Sequence, residues 1–292
     1  MVMAQHTTTP VNVGVVLYDF ENWVGKMWLS CINISLSDFY ATHAHYKTRM
    51  LLNTRNSMAD VFGAAAAGLD LIKNAEVQAI LGPVTSMQAN FVVELGQKAQ
   101  VPIISFSASS PFLTSIKSPY FFQATQNDKS QVKAICAIIQ AFGWREAVPI
   151  YVDNLYGVGF IPYLMEALQA VDTLVPYQSA ISPSANDDQI VRELYKLMTM
   201  QTRVFIVHIF PSLGARLFIK AKEIGMMSEG YVWIMTDGMT NLLSSLDPSA
   251  IDSMQGHWAY NLTLREQKSL KSFEFDGKRN SINIIQIWLM QS

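Results

Sequence analysis

"VQAILGPVTSMQANFVVELGQKAQVPIISFSASSP", residues 77–111, reads as strand, helix and strand with almost no linker between them. VQAILG (77–82) is short and apolar. SMQANFVVELGQKAQ (86–100) carries its apolar residues at helical spacing, with Ser86 as the expected cap, and VPIISF (101–106) is apolar again. Two short apolar strands around a helix make a βαβ unit, and therefore a parallel sheet. The second strand ends in small hydroxyl residues: Ser105, Ser107, Ser109 and Ser110. Two readings of that run stand open. Serines bond locally to the backbone and make turns. Open α/β sheets also bind ligands outside the carboxyl ends of their strands.

The same grammar extends in both directions. Upstream, strands at 11–16 and 46–53 alternate with helices at 26–43 and 58–74. Downstream, helices at 128–143, 157–171, 186–200 and 212–226 alternate with strands at 146–153, 174–181, 203–210 and 231–237. The helix at 128 is expected to be capped by Asp128. The fold class is therefore α/β, with two consecutive sets of parallel strands flanked by helices. The expected organisation is a disordered segment at 1–10, a first lobe at 11–122, a second lobe at 123–256 and a divergent tail at 257–292 that supplies no complete βαβ unit.

Composition narrows the function. Half of the 292 residues are hydrophobic, 15% are charged and the net charge is −2. That balance is globular, and it argues against a nucleic-acid partner or an anionic membrane surface. The longest apolar runs fall short of the ~20 residues that span a bilayer, and MVMAQHTTTP (1–10) lacks the features of a signal peptide. Cys31 and Cys136 have no metal-ligand spacing and leave two readings open, one long-range disulfide or two buried thiols. No phosphate loop, nucleophile elbow or zinc motif occurs, so neither enzyme activity, cofactor nor metal is expected. His43 and His45 read as a solvated face and His208 as a satisfied buried residue, while Asn33 and Asn261 head glycosylation sequons.

The strand ends gather the candidate site. Ser86, Ser107 and Ser109 fall at carboxyl ends in the first set, Tyr156 and Asp237 in the second. Hydroxyls and helix N-terminal amides suit a carboxylate; a tyrosine and an aspartate suit an ammonium group. Together they fit an α-amino acid in a cleft. Each residue also has a structural reading: Ser86 as a cap, Asp237-Gly238 as a turn, Tyr156 as a packed aromatic.

A resemblance adds to this. VNVGVV (11–16), CINISLSDFYATH (31–43), the continuous stretch 64–111, SPYFFQATQND (118–128), AIIQAFGWREAVPIYVDNLYG (137–157), TRVFIVHIF (202–210) and AKEIGMMSEGYVWIMTDG (221–238) resemble the amino-terminal domain of plant glutamate receptor-like proteins. That domain belongs to the receptor ligand-binding region family, which is similar to periplasmic leucine-binding proteins and metabotropic glutamate receptor ectodomains. The resemblance implies a two-lobed type I periplasmic-binding-protein-like fold. It also implies a site built from Ser86 in "GPVTS", Ser107 and Ser109 in the next loop, Tyr156 in "NLYG" and Asp237 in "TDG". Basic contacts that metabotropic receptors add after "DG" are not matched by Met239, Thr240 and Asn241.

The implied function is the extracellular ligand-binding and assembly domain of a ligand-gated, non-selective cation channel. Its partners would be a small-molecule ligand such as an amino acid and further subunits of a tetramer, and its location the outer face of the plasma membrane. The likeness fades after residue 256, so the chain is expected to be a truncated form with an incomplete first lobe. The alternative is a soluble amino-acid-binding protein.

Overall fold

The computed structural model describes residues 8–21, 23–243 and 246–254, together with the backbone of Trp258–Tyr260 and Asn283–Ile285. The chain divides into two compact units, Met1–Asn127 and Asp128–Ser292.

In the first unit, strands β1 (Thr9–Leu17), β2 (Thr48–Asn56), β3 (Ala79–Leu81), β4 (Ile103–Ser105) and β5 (Phe121–Gln123) form one sheet in the order β2-β1-β3-β4-β5. Every pairing is parallel. Helices α1 (Trp23–Thr42), α2 (Val61–Lys73) and α3 (Ser86–Ala99) make the crossovers. A parallel sheet needs cover on both faces, and the side-chain alternation of β1 supplies both. Val16 packs with Ala64, Leu71, Val92 and Val93 of α2 and α3. Val15 and Leu17 face Trp28, Leu29 and Ile32 of α1. β1 begins at Thr9, earlier than the expected 11. β5 is a strand beyond those expected from the sequence; it pairs with β4, and the first unit runs to Asn127 instead of 122.

The second unit contains helices α4 (Lys129–Ala141), α5 (Leu155–Ala170), α6 (Asp187–Met198), α7 (Pro211–Glu223), α8 (Asp237–Thr240) and α9 (Pro248–Ser253). Its strands are β6 (Val148–Val152), β7 (Ser179–Ile181), β8 (Val204–His208), β9 (Val232–Met235), β10 (Trp258–Tyr260) and β11 (Asn283–Ile285), in the parallel order β11-β10-β9-β8-β6-β7. The last two come from the region read as a tail. Within β8, Phe205 and Val207 join Leu194 of α6 and Leu217 of α7, while Val204 and Ile206 join Ile135 of α4 and Leu164 of α5. Burying each of these side chains fully contributes roughly 1.5–3 kcal/mol.

Local chemistry revises several boundaries. α2 starts at Val61, three residues later than expected, because Met58 and Ala59 take positive φ (52° and 59°) and Asp60 caps the helix by accepting the Gly63 N–H. The strand expected at 174–181 shrinks to Ser179–Ile181, since Pro176 has no N–H to give a ladder. Cys31 is exposed on α1 and Cys136 buried in α4, and both are free thiols, so neither the disulfide nor the pair of buried thiols is realised. No helix among the described residues is long and apolar enough to cross a membrane.

Candidate functional site

The serine run after β4 is first a set of staples. Ser105 Oγ donates to the Pro83 carbonyl at 2.9 Å and Ser107 Oγ to the Val84 carbonyl at 2.7 Å. The Ser110 N–H donates to Ser86 Oγ at 3.1 Å. These three bonds tie the loop after β4 to the loop after β3, each stabilising by about 1 kcal/mol. Gly82 opens the β3 loop at φ +100°, and a Cβ there would sit 2.3 Å from the Val16 carbonyl oxygen, so only glycine fits.

Ser86 is therefore a buried tie and the first residue of α3; the cap is Thr85, whose hydroxyl accepts the Gln88 N–H. The expected capping role of Ser86 is corrected by one residue. Ser107 is half-buried, and its single hydroxyl proton already points at Val84. Its oxygen can still accept a bond, but it has no second proton for a carboxylate. Ser109 is half-buried in the same loop.

In the second unit a buried polar cluster lies where β9 runs into α8. Asp237 is the first residue of α8, and its N–H donates to Gln131 Oε1 at 2.8 Å. Gln131 Nε2 donates to Asp237 Oδ1 and, at 3.0 Å, to Asp128 Oδ1. One amide thus spends both of its N–H donors to join two carboxylates. Asp128 and Gln131 are fully buried. Asp128 stands before α4 but makes no side-chain cap, so the expected cap is corrected as well. Burial pushes the Asp237 carboxyl above its ordinary 3.8, opposed by the bonds from Gln131 and the Gly238 N–H. No Lys or Arg pairs with Asp237 among the described residues.

Tyr156 is 4% exposed. Its ring stacks on His208 at 4.2 Å and on Phe210 at 4.6 Å, and its enclosed hydroxyl has no hydrogen-bond partner. Burial, and then the charges of Asp128 and Asp237, hold the phenol well above its ordinary 10, so it stays neutral. Packed aromatic is thus the better description of this residue.

His208 is only half satisfied. Thr236 Oγ1 lies 3.0 Å from His208 Nδ1 and 3.2 Å from the Val207 carbonyl oxygen, so one face of the imidazole has a hydroxyl partner. Nε2 has no hydrogen-bond partner and sits 3.8 Å from Asp128 Oδ2. Burial drives the imidazole down to about 3 from its ordinary 6.5. A depressed histidine contributes stability that is whole above 6.5 and is lost as pH falls toward about 3, because the unfolded chain takes the proton first. Unfolding midpoints measured from pH 7.5 to 4 should therefore fall more steeply for the wild type than for His208→Gln. Equal slopes would mean that His208 is not held neutral.

The sequence reading missed Gln131, Asp128 and Thr236 as parts of this cluster. One signal was present: an acid three residues before a glutamine at a helix start is a capping-box spacing, although here the two side chains bond each other. Of the five expected site residues, Ser86, Ser107 and Ser109 are brought together in the first unit and Tyr156 and Asp237 in the second. Asn33, the first sequon, is exposed on α1, and Asn261 lies outside the described residues. Among the described residues no three His, Cys, Asp or Glu side chains form a metal site.

The profile of the receptor family ligand binding region matches residues 27–281. The chain belongs to this family. The receptor ligand-binding region found here is 55% identical over 272 residues to glutamate receptor 2.7 of Arabidopsis thaliana, covering 93% of this chain and 28% of that protein. It is 52% identical over 289 residues to glutamate receptor 2.6 of the same plant, covering 98% of this chain and 30% of that protein. The chain thus spans under a third of these relatives.

Solved structures share its fold. A solute-binding protein of an ABC transporter from R. palustris, in complex with 4-hydroxybenzoate, aligns with a TM-score of 0.73 at 16% identity, over 85% of this chain and 67% of that one. A branched-chain amino acid transporter substrate-binding protein from Streptococcus pneumoniae, in complex with isoleucine, aligns with a TM-score of 0.65 at 19% identity, over 79% of this chain and 65% of that one. The receptor ligand-binding region is therefore α/β and periplasmic-binding-protein-like, as expected from the sequence.

Proposed function

We propose that this chain is the extracellular ligand-binding and assembly region of a glutamate receptor-like cation channel, and that Asp237 accepts the ammonium group of an amino acid. The observation that carries the ligand class is the half-buried Asp237 carboxylate, held by neutral donors and lacking a cationic partner among the described residues. A desolvated carboxylate is costly without a counter-charge, and an ammonium would supply one. The Arabidopsis relatives, receptors by name, favour this reading over a free-standing amino-acid-binding protein.

The fold alone does not choose the ligand, since neighbours of the same fold hold 4-hydroxybenzoate or isoleucine. Asp237 supplies the choice: it attracts an ammonium and repels a molecule that offers only negative charge. In the first unit Ser107 and Ser109 are proposed as ligand contacts with Ser86 as their frame; in the second unit Tyr156 is the frame of Asp237. Calorimetric titration of the folded chain with L-leucine and L-glutamate, each beside its desamino counterpart (4-methylpentanoate and glutarate), tests the ligand class. Saturable heat with an amino acid and none with its desamino partner is expected. Equal binding of the two members of a pair would remove the role given to Asp237.

A further inference from the structure

We infer that Gln131 is the positioning residue of the Asp237 site, orienting the carboxylate and keeping it ionised for a cationic ligand. This rests on the reading of Asp237 as an ammonium acceptor. Gln131 is fully buried at the start of α4, 106 residues away in sequence, and grips Asp237 from two sides. Its carbonyl takes the Asp237 N–H, one of the donors a helix start leaves without an internal partner. Its amide then fixes Oδ1, which sets the carboxylate plane and leaves further lone pairs for a ligand. The second amide proton is anchored on Asp128 Oδ1, so the glutamine cannot turn without losing bonds at both ends.

The surroundings make this grip matter. The groups facing Asp237 are Asp128 before α4, Tyr156 of α5 and, through Thr236, His208 of β8. None is a cation, since His208 is held neutral by burial. The donors that favour the charged form of Asp237 are the Gln131 amide and the Gly238 N–H.

Gln131→Met keeps the side-chain volume and removes every one of these bonds. Two measurements on the full chain read the result. The ¹³C carboxyl resonance of Asp237, assigned with the Asp237→Asn variant, reports its protonation without any ligand. Its midpoint should move to higher pH in Gln131→Met. An unmoved midpoint would overturn the inference whether or not the chain binds an amino acid.

The second is titration with L-leucine and L-glutamate across pH 4–8. Affinity should drop about tenfold or more at pH 7, the loss of a hydrogen bond to a charged group, and the acid side of the profile should shift upward. A merely structural glutamine would lower affinity equally at every pH. Gln140→Met, at the exposed end of the same helix, should change neither reading. If neither amino acid binds the wild type, the ammonium reading falls, and the carboxyl midpoint alone still decides whether Gln131 controls Asp237.

Discussion

Asp237→Asn should abolish amino-acid binding and raise the stability of the ligand-free protein together. Both effects follow from one carboxylate. Removing the charge that faces an ammonium in a desolvated site costs roughly 2–5 kcal/mol, about 30-fold to several thousand-fold in affinity. In the ligand-free protein the sign reverses. Burial raises the Asp237 carboxyl above 3.8, so the folded protein takes up the proton at a higher pH than the unfolded chain does. Above the folded midpoint the ionised group therefore works against folding, and this cost fades as pH falls through that midpoint. Asparagine keeps an oxygen for the Gln131 amide and sheds the charge.

The unfolding midpoint at pH 7 should rise by about 2–4 °C for each kcal/mol relieved in a domain of this size. The gap to wild type should close toward pH 4. A variant that still binds L-leucine or L-glutamate within threefold of wild type would end the assignment of Asp237. A fall in the midpoint at pH 7 would mean that its neighbours stabilise the carboxylate outright. A site residue whose removal stabilises the fold is the usual mark of a group retained for function.

The alternation of apolar strands and amphipathic helices was legible because each strand of a two-sided parallel sheet is a short apolar run, as in VFIVH at 204–208. Asp237 and Tyr156 were legible as strand-end residues for the same reason. What escaped the sequence was everything set by long-range pairing. Phe121–Gln123 shows too few residues to signal a strand and becomes β5 only by lying against β4. Gln131 reads as one more polar residue at a helix start, and its partner is 106 positions away.

The serine run held both of its readings at once: Ser105, Ser107 and Ser86 make turn-type bonds, and those bonds fix the loop in which Ser107 and Ser109 lie half-buried. Exposure was equally hidden from the sequence. Cysteine is among the most buried residue types, yet Cys31 faces solvent because the packed residues of α1 are Trp28, Leu29 and Ile32.

Gly238→Ala should destabilise the second unit by about 3 kcal/mol, at the upper end of what overpacking costs. A Cβ at position 238 would lie 2.0 Å from the Tyr156 hydroxyl oxygen and 3.2 Å from Cζ. The tyrosine cannot swing aside, because His208 and Phe210 stack on its ring at interplanar angles of 26° and 19°. Alanine's better helix propensity returns less than about 1 kcal/mol. Tyr156→Phe removes the oxygen in the way. Since that hydroxyl is buried without a partner, losing it alone should be neutral or stabilise by up to about 1 kcal/mol.

The double variant should then recover most of the loss. Denaturant unfolding of the wild type, both single variants and the pair should show a coupling of at least about 1.5 kcal/mol, beyond what independent sites show. Additive effects would mean that the backbone at 237–238 yields to the new methyl group instead of meeting the tyrosine. A backbone that yields there could not hold the Asp237 carboxylate in one orientation, and the bonds from Gln131 would then describe one pose of a loose carboxylate and not a built site.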